Sequence, residues 1–297
     1  MTYHAKTTKE LTREYFDSLV LEMRLMDSAV PDTSFELFGK SFKTPIMTAA
    51  LSHLGTFNPD IPSGMVQYAM GAQMSGAVHW VGMGSDEEYA AIAATGAQCI
   101  RIVKPYADEA KIFSMIRFAE EHDALAVGMD IDHMFGLDGE DDLCMGEQMK
   151  VKSSADIKRY VESTKLPFVV KGVLSVHDAL KCLEAGVKGI VVSTHGGRLN
   201  GTMPPLMILP EIVKAVGGKM KIFVDCGVCS GMDAYKALAL GADAVGVGIH
   251  LISYIKKGGE QAVADRINEM TTELKGAMAY TGVKNVNEFD ASVVHRI

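Results

Sequence analysis

An α/β fold class is predicted by eight short apolar runs that alternate with segments of helical periodicity. The starts of consecutive runs lie 21 to 42 residues apart, which leaves room for one helix between strands and requires parallel crossovers. Eight such units predict a (β/α)8 TIM barrel, whose typical size of about 250 residues nearly fills the 297-residue chain. We expect a single barrel domain over residues 1–297, with residues 1–44 as a short N-terminal extension. An open, doubly wound sheet is the competing architecture.

The extension is predicted to carry one helix over residues 8–24 and a β-turn at Phe38-Gly39-Lys40. The eight strands are predicted to begin at Pro45, Val78, Cys99, Ala126, Phe168, Gly189, Lys221 and Ala244. Helices are predicted over residues 108–121, 154–163, 177–185, 209–216 and 230–240, and Gly186, Gly217 and Gly241 are predicted to end helices in the left-handed conformation. The longest loop, residues 133–151, is acidic and follows the fourth strand.

Composition and charge exclude several classes of protein. Hydrophobic residues make up 48% of the chain and charged residues 22%, so the chain can bury a substantial core. The net charge is -8 and the basic residues are scattered, which argues against binding to nucleic acid. The sequence has no signal-peptide pattern and no apolar run of the roughly 18 residues that a membrane span needs. The five cysteines are an odd number, which fits a reducing compartment better than a disulfide framework, so we expect a cytoplasmic protein. Its expected partner is a small molecule.

Polar residues at the predicted strand ends are the candidates for chemistry, because barrels of this kind place their active sites there. They are Arg101 and Lys104 on strand three, Asp130 and Asp132 after strand four, Lys171 on strand five, Ser193-Thr194-His195 after strand six, and Asp225 after strand seven. Alternation puts Asp130 and Asp132 on one face, and Arg101 is expected to pair with Asp130. A lysine, a histidine and an aspartate at one barrel mouth would supply a fixed positive charge, a titratable base and a carboxylate to orient it.

Two glycine-containing turns predict a phosphate site. They follow strands seven and eight, where barrels often hold a phosphate with backbone N–H groups and a helix N-terminus. Gly227 and Gly248 would let the backbone approach the anion, and Ser230 can cap the next helix.

Several of these residues belong to a recognisable pattern. The stretches LPFVVKGVLSVHDALKCLEAGVKGIVVSTHGGRLNGTMPPLMILPEIVKAV and IFVDCGVCSGMDAYKALALGADAVGVG resemble the FMN-dependent α-hydroxy-acid oxidases and dehydrogenases, such as glycolate and lactate oxidases. That family's signature is a serine, a variable residue, and then His-Gly-x-Arg, which Ser193-Thr194-His195-Gly196-Gly197-Arg198 matches. The resemblance is specific over about residues 154–248. A weaker match covers residues 16–132, including LFGKSFKTPIMTAA.

The resemblance implies an oxidation with named residues. His195 would act as the base on the substrate hydroxyl while a hydride passes from the α-carbon to the flavin, and Arg198 would hold the substrate carboxylate. Lys171 would stabilise negative charge on the reduced flavin, and Asp132 would orient His195.

The resemblance also implies FMN as cofactor and a homo-oligomer, a tetramer in the family. The residues that it places against FMN are Ala49, Ala50, Arg101, Asp130, Lys171, Asp225, Gly227 and Gly248. Ala49 and Ala50 would contact the ring through their backbone, Arg101 and Asp130 would meet its pyrimidine edge, and Asp225 would meet the ribityl chain.

The sequence departs from the family pattern at several positions. Cys229 and Ile249 stand where the family has two phosphate-binding arginines, which leaves backbone donors and His250. The family's second carboxylate-binding arginine has no counterpart in the shortened loop over residues 133–151, and a substrate tyrosine corresponds to Val103. We therefore expect a diverged member of the family, with a substrate that differs in size or charge from a small 2-hydroxy acid or that belongs to another class.

Two other functions compete with this interpretation. Asp130, Asp132 and His133 could bind a divalent cation, with Lys171 and His195 serving a lyase or isomerase that acts on a carbonyl compound. The spacing of these residues is weak as a metal motif, and the primary expectation includes no metal. The third alternative is a catalytically silent barrel that binds a ligand.

Overall fold

The computed structural model describes residues 5–56, 58, 60–61 and 63–297. Its helices and strands, in chain order, are α1 (Thr8–Asp17), β1 (Leu19–Leu21), β2 (Phe35–Leu37), β3 (Lys40–Phe42), β4 (Ile46–Thr48), α2 (Gly64–Ser75), β5 (His79–Val81), α3 (Asp86–Ala93), β6 (Cys99–Val103), α4 (Glu109–Glu121), β7 (Ala126–Asp130), β8 (Leu143–Cys144), β9 (Glu147–Gln148), α5 (Ser154–Glu162), β10 (Phe168–Val173), α6 (Val176–Glu184), β11 (Gly189–Val192), α7 (Pro205–Val216), β12 (Lys221–Val224), α8 (Gly231–Ala239), β13 (Ala244–Val247), α9 (Ile249–Thr281) and β14 (Val294–Arg296).

Eight parallel strands form the central sheet in the order β4-β13-β12-β11-β10-β7-β6-β5. The two outer strands of this order also meet, because the Thr48 N–H donates to the Val78 carbonyl at 3.2 Å and the Gly82 N–H donates to the Leu51 carbonyl at 3.0 Å. The sheet therefore closes on itself. The predicted (β/α)8 barrel is confirmed, the open-sheet alternative is wrong, and every barrel strand begins within one residue of its predicted start.

Side chains on the strands alternate between the barrel interior and the surrounding helices. The interior layer is apolar and includes Met47, Trp80, Ile100, Val169 and Phe223. Trp80 and Phe223 meet edge to face with ring centroids 5.2 Å apart. The same alternation, continued to the carboxyl ends of the strands, brings the polar residues Lys104, Asp130, Lys171, Ser193 and Asp225 to the mouth of the barrel.

Local chemistry accounts for most helix ends, although the helix predicted to begin at residue 209 begins at Pro205. Six of them have a serine or aspartate N-cap whose side chain accepts a backbone N–H of the first turn: Ser63, Ser85, Asp108, Ser153, Ser175 and Ser230. The predicted helix-ending glycines, Gly186, Gly217 and Gly241, have φ values of 86°, 55° and 105°. In α9 the backbone is non-helical at Gly258 and Gly259, which divides the helix by a kink. Within the described residues, no helix combines the length and apolar character that a membrane crossing requires.

The N-terminal extension differs from its prediction in one respect. The helix predicted over residues 8–24 ends at Asp17, because Leu19–Leu21 instead pairs in antiparallel fashion with Val294–Arg296 near the end of the chain. The predicted turn at Phe38-Gly39-Lys40 joins β2 to β3, with positive φ at Phe38 and Gly39. Helix α1 lies over the barrel mouth, where the Thr8 hydroxyl donates to the Leu199 carbonyl at 2.8 Å.

The chain between β7 and α5, residues 131–153, is here called the β7–α5 segment. The sequence predicts an acidic loop over residues 133–151, but the segment contains a 3₁₀ turn at Ile131–His133 and the short hairpin β8–β9. Met145 and Gly146, both at positive φ, form the hairpin turn. An internal hydrogen bond stabilises the segment: the Asp142 N–H donates to the Met134 carbonyl at 3.2 Å.

Candidate active site

A cavity of about 520 Å³ opens at the carboxyl ends of the strands. Part of its lining consists of small residues, among them Ala49, Ala50, Gly246 and Gly248. A Cβ on Gly248 would lie 3.3 Å from the Cβ of Ala49, so the glycine keeps this part of the cavity open and lets a ligand approach the backbone. The volume falls within the roughly 300–1,000 Å³ typical of ligand and cofactor sites.

Lys171 on β10 supplies a buried cation at the base of this cavity. Its Nζ lies 3.7 Å from one carboxylate oxygen each of Asp130 and Asp132, and 3.8 Å from Asp225. It also donates to Ser193 Oγ at 3.4 Å. Burial disfavours the charged ammonium, but the three carboxylates outweigh burial and raise the pKa of Lys171, so it keeps its charge at neutral pH.

His195 follows β11 and reaches the same cluster through its Nδ1 atom. Nδ1 lies 2.8 Å from Asp132 Oδ1, 3.4 Å from Asp130 Oδ2 and 3.2 Å from Lys171 Nζ. The backbone of His195 is left-handed, with φ 50°, and its N–H donates to Ser193 Oγ at 3.1 Å. A left-handed non-glycine residue is uncommon and occurs preferentially at functional sites.

Gly172 makes room for the partner of His195. It forms a β-bulge in β10 with φ 93°, where the register of β10 against β11 shifts. A Cβ at this position would lie 2.6 Å from Asp132 Oδ2. The glycine is therefore required for the Asp132 carboxylate to stand beside His195.

The pKa values of the two carboxylates beside His195 are shifted in opposite directions. Burial raises the pKa of Asp132, and the neighbouring charge of Asp130 raises it further. Burial acts in the same direction on Asp130, but Lys171 and Lys104 outweigh it and hold the pKa of Asp130 well below its usual value. For His195, burial favours the neutral ring, yet hydrogen bonds to Asp130 and Asp132 outweigh burial and raise its pKa.

The expected pairing of Arg101 with Asp130 is wrong. Ile100 faces the barrel interior, so alternation directs Arg101 to the outer side, where its guanidinium bonds Asp86 at 2.6 Å and stacks over Tyr89. Arg101 is therefore away from the mouth cavity, and the edge contact with a flavin that the resemblance assigned to it is not possible in this structure. Lys104 is the residue that meets Asp130, with Nζ 2.7 Å from Oδ2.

Two further residues of the β7–α5 segment complete the site: His133, which the sequence suggested only as a metal ligand, and Asp142, which was not among the predicted site residues. His133 Nε2 lies 3.2 Å from His195 Nε2, and His133 Nδ1 lies 2.8 Å from Asp142 Oδ2. The same Asp142 oxygen lies 2.6 Å from Arg198, which also donates to the Phe135 carbonyl at 2.7 Å. Burial lowers the pKa of His133 to about 4, so its ring is neutral at physiological pH.

The far end of the cavity is formed by the turns after β12 and β13 and by α1. The predicted residues Asp225, Gly227 and Gly248 line the cavity, as do Lys9 and His250. Gly248 is the N-cap of α9 and provides no side-chain cap for the first-turn N–H groups of that helix.

Two arginines near this end are already engaged by protein groups. Arg13 donates to both oxygens of Asp233 and to the Gly227 carbonyl, which pins α1 to the turn after β12. Arg266 donates to His250 Nε2 at 3.1 Å and to the Cys229 carbonyl at 2.8 Å. Because His250 accepts at Nε2, its proton is on Nδ1 and can be donated to a ligand.

Nearly the whole chain is similar to one known protein family. The profile of a family described as FMN-dependent dehydrogenase matches residues 2–155 and 138–296, which together take in nearly the whole chain. The chain belongs to this family. Its cofactor is FMN, and the small lining residues, the buried Lys171 and the uncapped start of α9 fit such a group.

Relatives and solved structures agree with this membership. The chain is 46% identical to 2-hydroxyacid oxidase 1 of Mus musculus over 134 residues, which are 45% of this chain and 36% of that protein. It is 42% identical to L-lactate oxidase of Lactobacillus jensenii over 144 residues, 48% of this chain and 35% of that protein. These matches thus span little more than a third of each relative. A mandelate oxidase structure with (S)-2-phenylpropionate superimposes with a TM-score of 0.85 at 27% identity, covering 99% of this chain and 91% of that one.

The comparisons give no support to the lyase alternative. Asp130, Asp132, His133 and His195 do place potential ligand atoms within 4.8 Å of one another. Two lysine ammonium groups share this space, however, with Lys104 bonded to Asp130 and Lys171 beside Asp132. These cations neutralise the carboxylates that a divalent ion would need.

Proposed function

We propose that this chain is an FMN-dependent oxidoreductase that oxidises the hydroxyl-bearing carbon of a 2-hydroxy acid or a related substrate, with His195 as the base. The observation that supports this most directly is the 2.8 Å contact between His195 Nδ1 and Asp132, with Lys171 beside it. A carboxylate accepts the Nδ1 proton and so leaves the lone pair of the neutral ring on Nε2. Nε2 is then the atom that takes the hydroxyl proton.

The other residues of the site prepare and hold the reacting groups. FMN, when bound, supplies the two-electron acceptor. Lys171 provides a fixed positive charge where negative charge accumulates, and its three carboxylate neighbours hold it there. Asp132 orients the His195 ring and stabilises it once it has taken the proton. Arg198 is the cation that a substrate carboxylate would meet.

Cofactor binding would draw on the whole length of the cavity. Ala49 and Ala50 would meet the ring system, and Asp225 the polyol chain. In place of the two missing arginines, the phosphate would meet the first-turn N–H groups of α9, the Nδ1 proton of His250 and the ammonium of Lys9, all of which border the cavity.

The test combines binding and reduction. FMN is titrated into the purified protein while its absorption and fluorescence are followed, and a panel of 2-hydroxy acids is then added without oxygen. Bound FMN that bleaches with a hydroxy acid supports the proposal. His195→Gln should bind FMN as tightly while its reduction slows by about 10²–10⁴-fold, the range for a lost general base. Bleaching that is equally fast in this variant would contradict the role of His195.

We also propose that the chain folds as one unit over residues 1–297, assembles into a homo-oligomer and resides in the cytoplasm. Support for assembly comes from exposed apolar side chains in the extension, among them Met23, Met26 and Val30. Light scattering should give a mass that is a multiple of the chain's 32.0 kDa, four chains being the number that the resemblance implies. A single unfolding transition would support folding as one unit, and recovery in the cytosolic fraction of cells would support residence in the cytoplasm.

A further inference from the structure

The two groups that should receive the substrate already have partners within the protein. Arg198, the expected carboxylate anchor, is 2.6 Å from Asp142 Oδ2. His195 Nε2, the expected base, is 3.2 Å from His133 Nε2. One carboxylate and one imidazole from the β7–α5 segment therefore stand where a hydroxy acid would place its carboxylate and its hydroxyl.

The two partners are joined to each other. His133 Nδ1 donates to Asp142, so its neutral Nε2 is an acceptor. The contact with His195 Nε2 then needs a proton on the His195 side. A His195 that carries this proton cannot take another from a substrate, so the contact must open before the ring can act as a base.

We propose that Asp142 is a specificity-determining residue: it occupies Arg198 in place of a substrate carboxylate, and a 2-hydroxy acid binds only by displacing it. This inference rests on the proposed function, because it concerns the substrate of that same site. Arg198 is the charged side chain that the resemblance assigns to the carboxylate, and Asp142 neutralises it in the folded chain.

The charges around Arg198 indicate that Asp142 competes with a substrate carboxylate for this arginine. Lys104 is bonded to Asp130, and Lys171 stands among three carboxylates. An incoming carboxylate would therefore find Arg198 already paired and Asp142 repelling it at short range. A small 2-hydroxy acid should bind weakly for this reason.

Asp142 can be changed without disturbing its surroundings. Its backbone is fixed within the β7–α5 segment, where its carbonyl accepts the Met149 N–H at 2.8 Å. Asparagine has the same shape, and its amide oxygen can still accept the proton of His133 Nδ1. Asp142→Asn thus removes the charge from Arg198 and keeps the other contact.

The experiment measures carboxylate binding with and without turnover. Oxalate, a carboxylate that has no hydroxyl to oxidise, is titrated into the FMN-loaded protein by calorimetry, and KM and kcat are measured for lactate and glycolate. We expect Asp142→Asn to bind oxalate at least tenfold more tightly and to lower KM by a similar factor. Asp141→Asn is the matched control: it makes the same charge change at the adjacent, exposed residue and should leave both constants within twofold.

The outcomes separate this inference from the proposed function. Unchanged or weaker oxalate binding in Asp142→Asn overturns the inference, as does an equal gain in Asp141→Asn, which would mean a general charge effect. A tenfold gain in oxalate binding without any flavin reduction would support competition at Arg198 and contradict the proposed oxidation. If FMN does not bind, the same oxalate titration on the protein as purified still decides whether Asp142 blocks the anchor.

Discussion

The mouth of the barrel is built from two kinds of structure, and the two differ in how they hold charge. The ends of three strands supply Lys171, Asp130 and Asp225, which are buried. Added segments supply other groups: α1 carries the exposed Lys9, and the β7–α5 segment carries His133 and Asp142, which reach the site from outside the sheet. Groups fixed by the sheet are suited to the chemical step, which requires a constant geometry. Groups on added segments are suited to selecting what binds.

The largest effect of a substitution is expected at the residues supplied by the strand ends. Lys171→Met removes the buried cation and leaves three carboxylates without it, so we expect flavin reduction to slow by about 10²–10³-fold. The free energy of unfolding should also fall, by about 3–5 kcal/mol, because buried charges lose their partner. Stopped-flow reduction and urea denaturation measure the two effects. Lys188→Met, at an exposed lysine, should change neither, and a Lys171→Met protein that reduces FMN at the wild-type rate would show that the cation is structural only.

A smaller effect should follow from filling the space beside Asp132. Gly172→Ala introduces a Cβ 2.6 Å from Asp132 Oδ2 at a residue with φ 93°, so the carboxylate must move away from His195. We expect about tenfold slower reduction and about 1–3 kcal/mol lower stability. Gly139→Ala separates the two causes, because φ there is 84° and a Cβ would meet nothing within 4 Å. Equal loss of rate in both variants would rule out displacement of Asp132.

The pH dependence of reduction should report the contacts between His195 and its carboxylates. The pKa of His195 is raised above 6.5, so the protonated ring persists to higher pH and the base form appears only as pH increases. Reduction should therefore rise with pH through a midpoint above 6.5. Asp132→Asn removes one of the contacts that raise this pKa, and the midpoint should move to lower pH. A midpoint that stays in place in this variant would assign the titration to another group.

The smallest effect is expected at the outer end of the cavity. Lys9 lies on α1, borders the cavity and is solvent-exposed, so its attraction to a phosphate is partly screened. Lys9→Ala should weaken FMN binding by about three- to tenfold and leave riboflavin, which has no phosphate, unchanged. Lys6→Ala is the control, since Lys6 is paired with Glu14 at 2.7 Å. Equal weakening of both flavins would place Lys9 away from the phosphate.

The sequence could predict the strand side far better than the added segments. Each strand is a short apolar run bounded by turn residues, and parallel order follows from the helices between them. Alternation from Ile100 and Ile102 would also have directed Lys104, and not Arg101, to the interior. The contacts of Asp142 could not be predicted in this way. They depend on the path of the β7–α5 segment, which places Asp142 beside Arg198, a residue about 60 positions later in the chain.

The left-handed backbone at His195 and Cys226 has a consequence for the durability of the protein. Both are non-glycine residues, with φ 50° and 67°, and such conformations cost on the order of 1–3 kcal/mol each. The Cys226 sulfur also accepts the Gly196 N–H at 3.1 Å, which fixes the turn behind the imidazole. The strained backbone thus lowers the thermal stability of the barrel and fixes the orientation of the His195 ring. Selection for thermal stability alone would therefore favour glycine at either position.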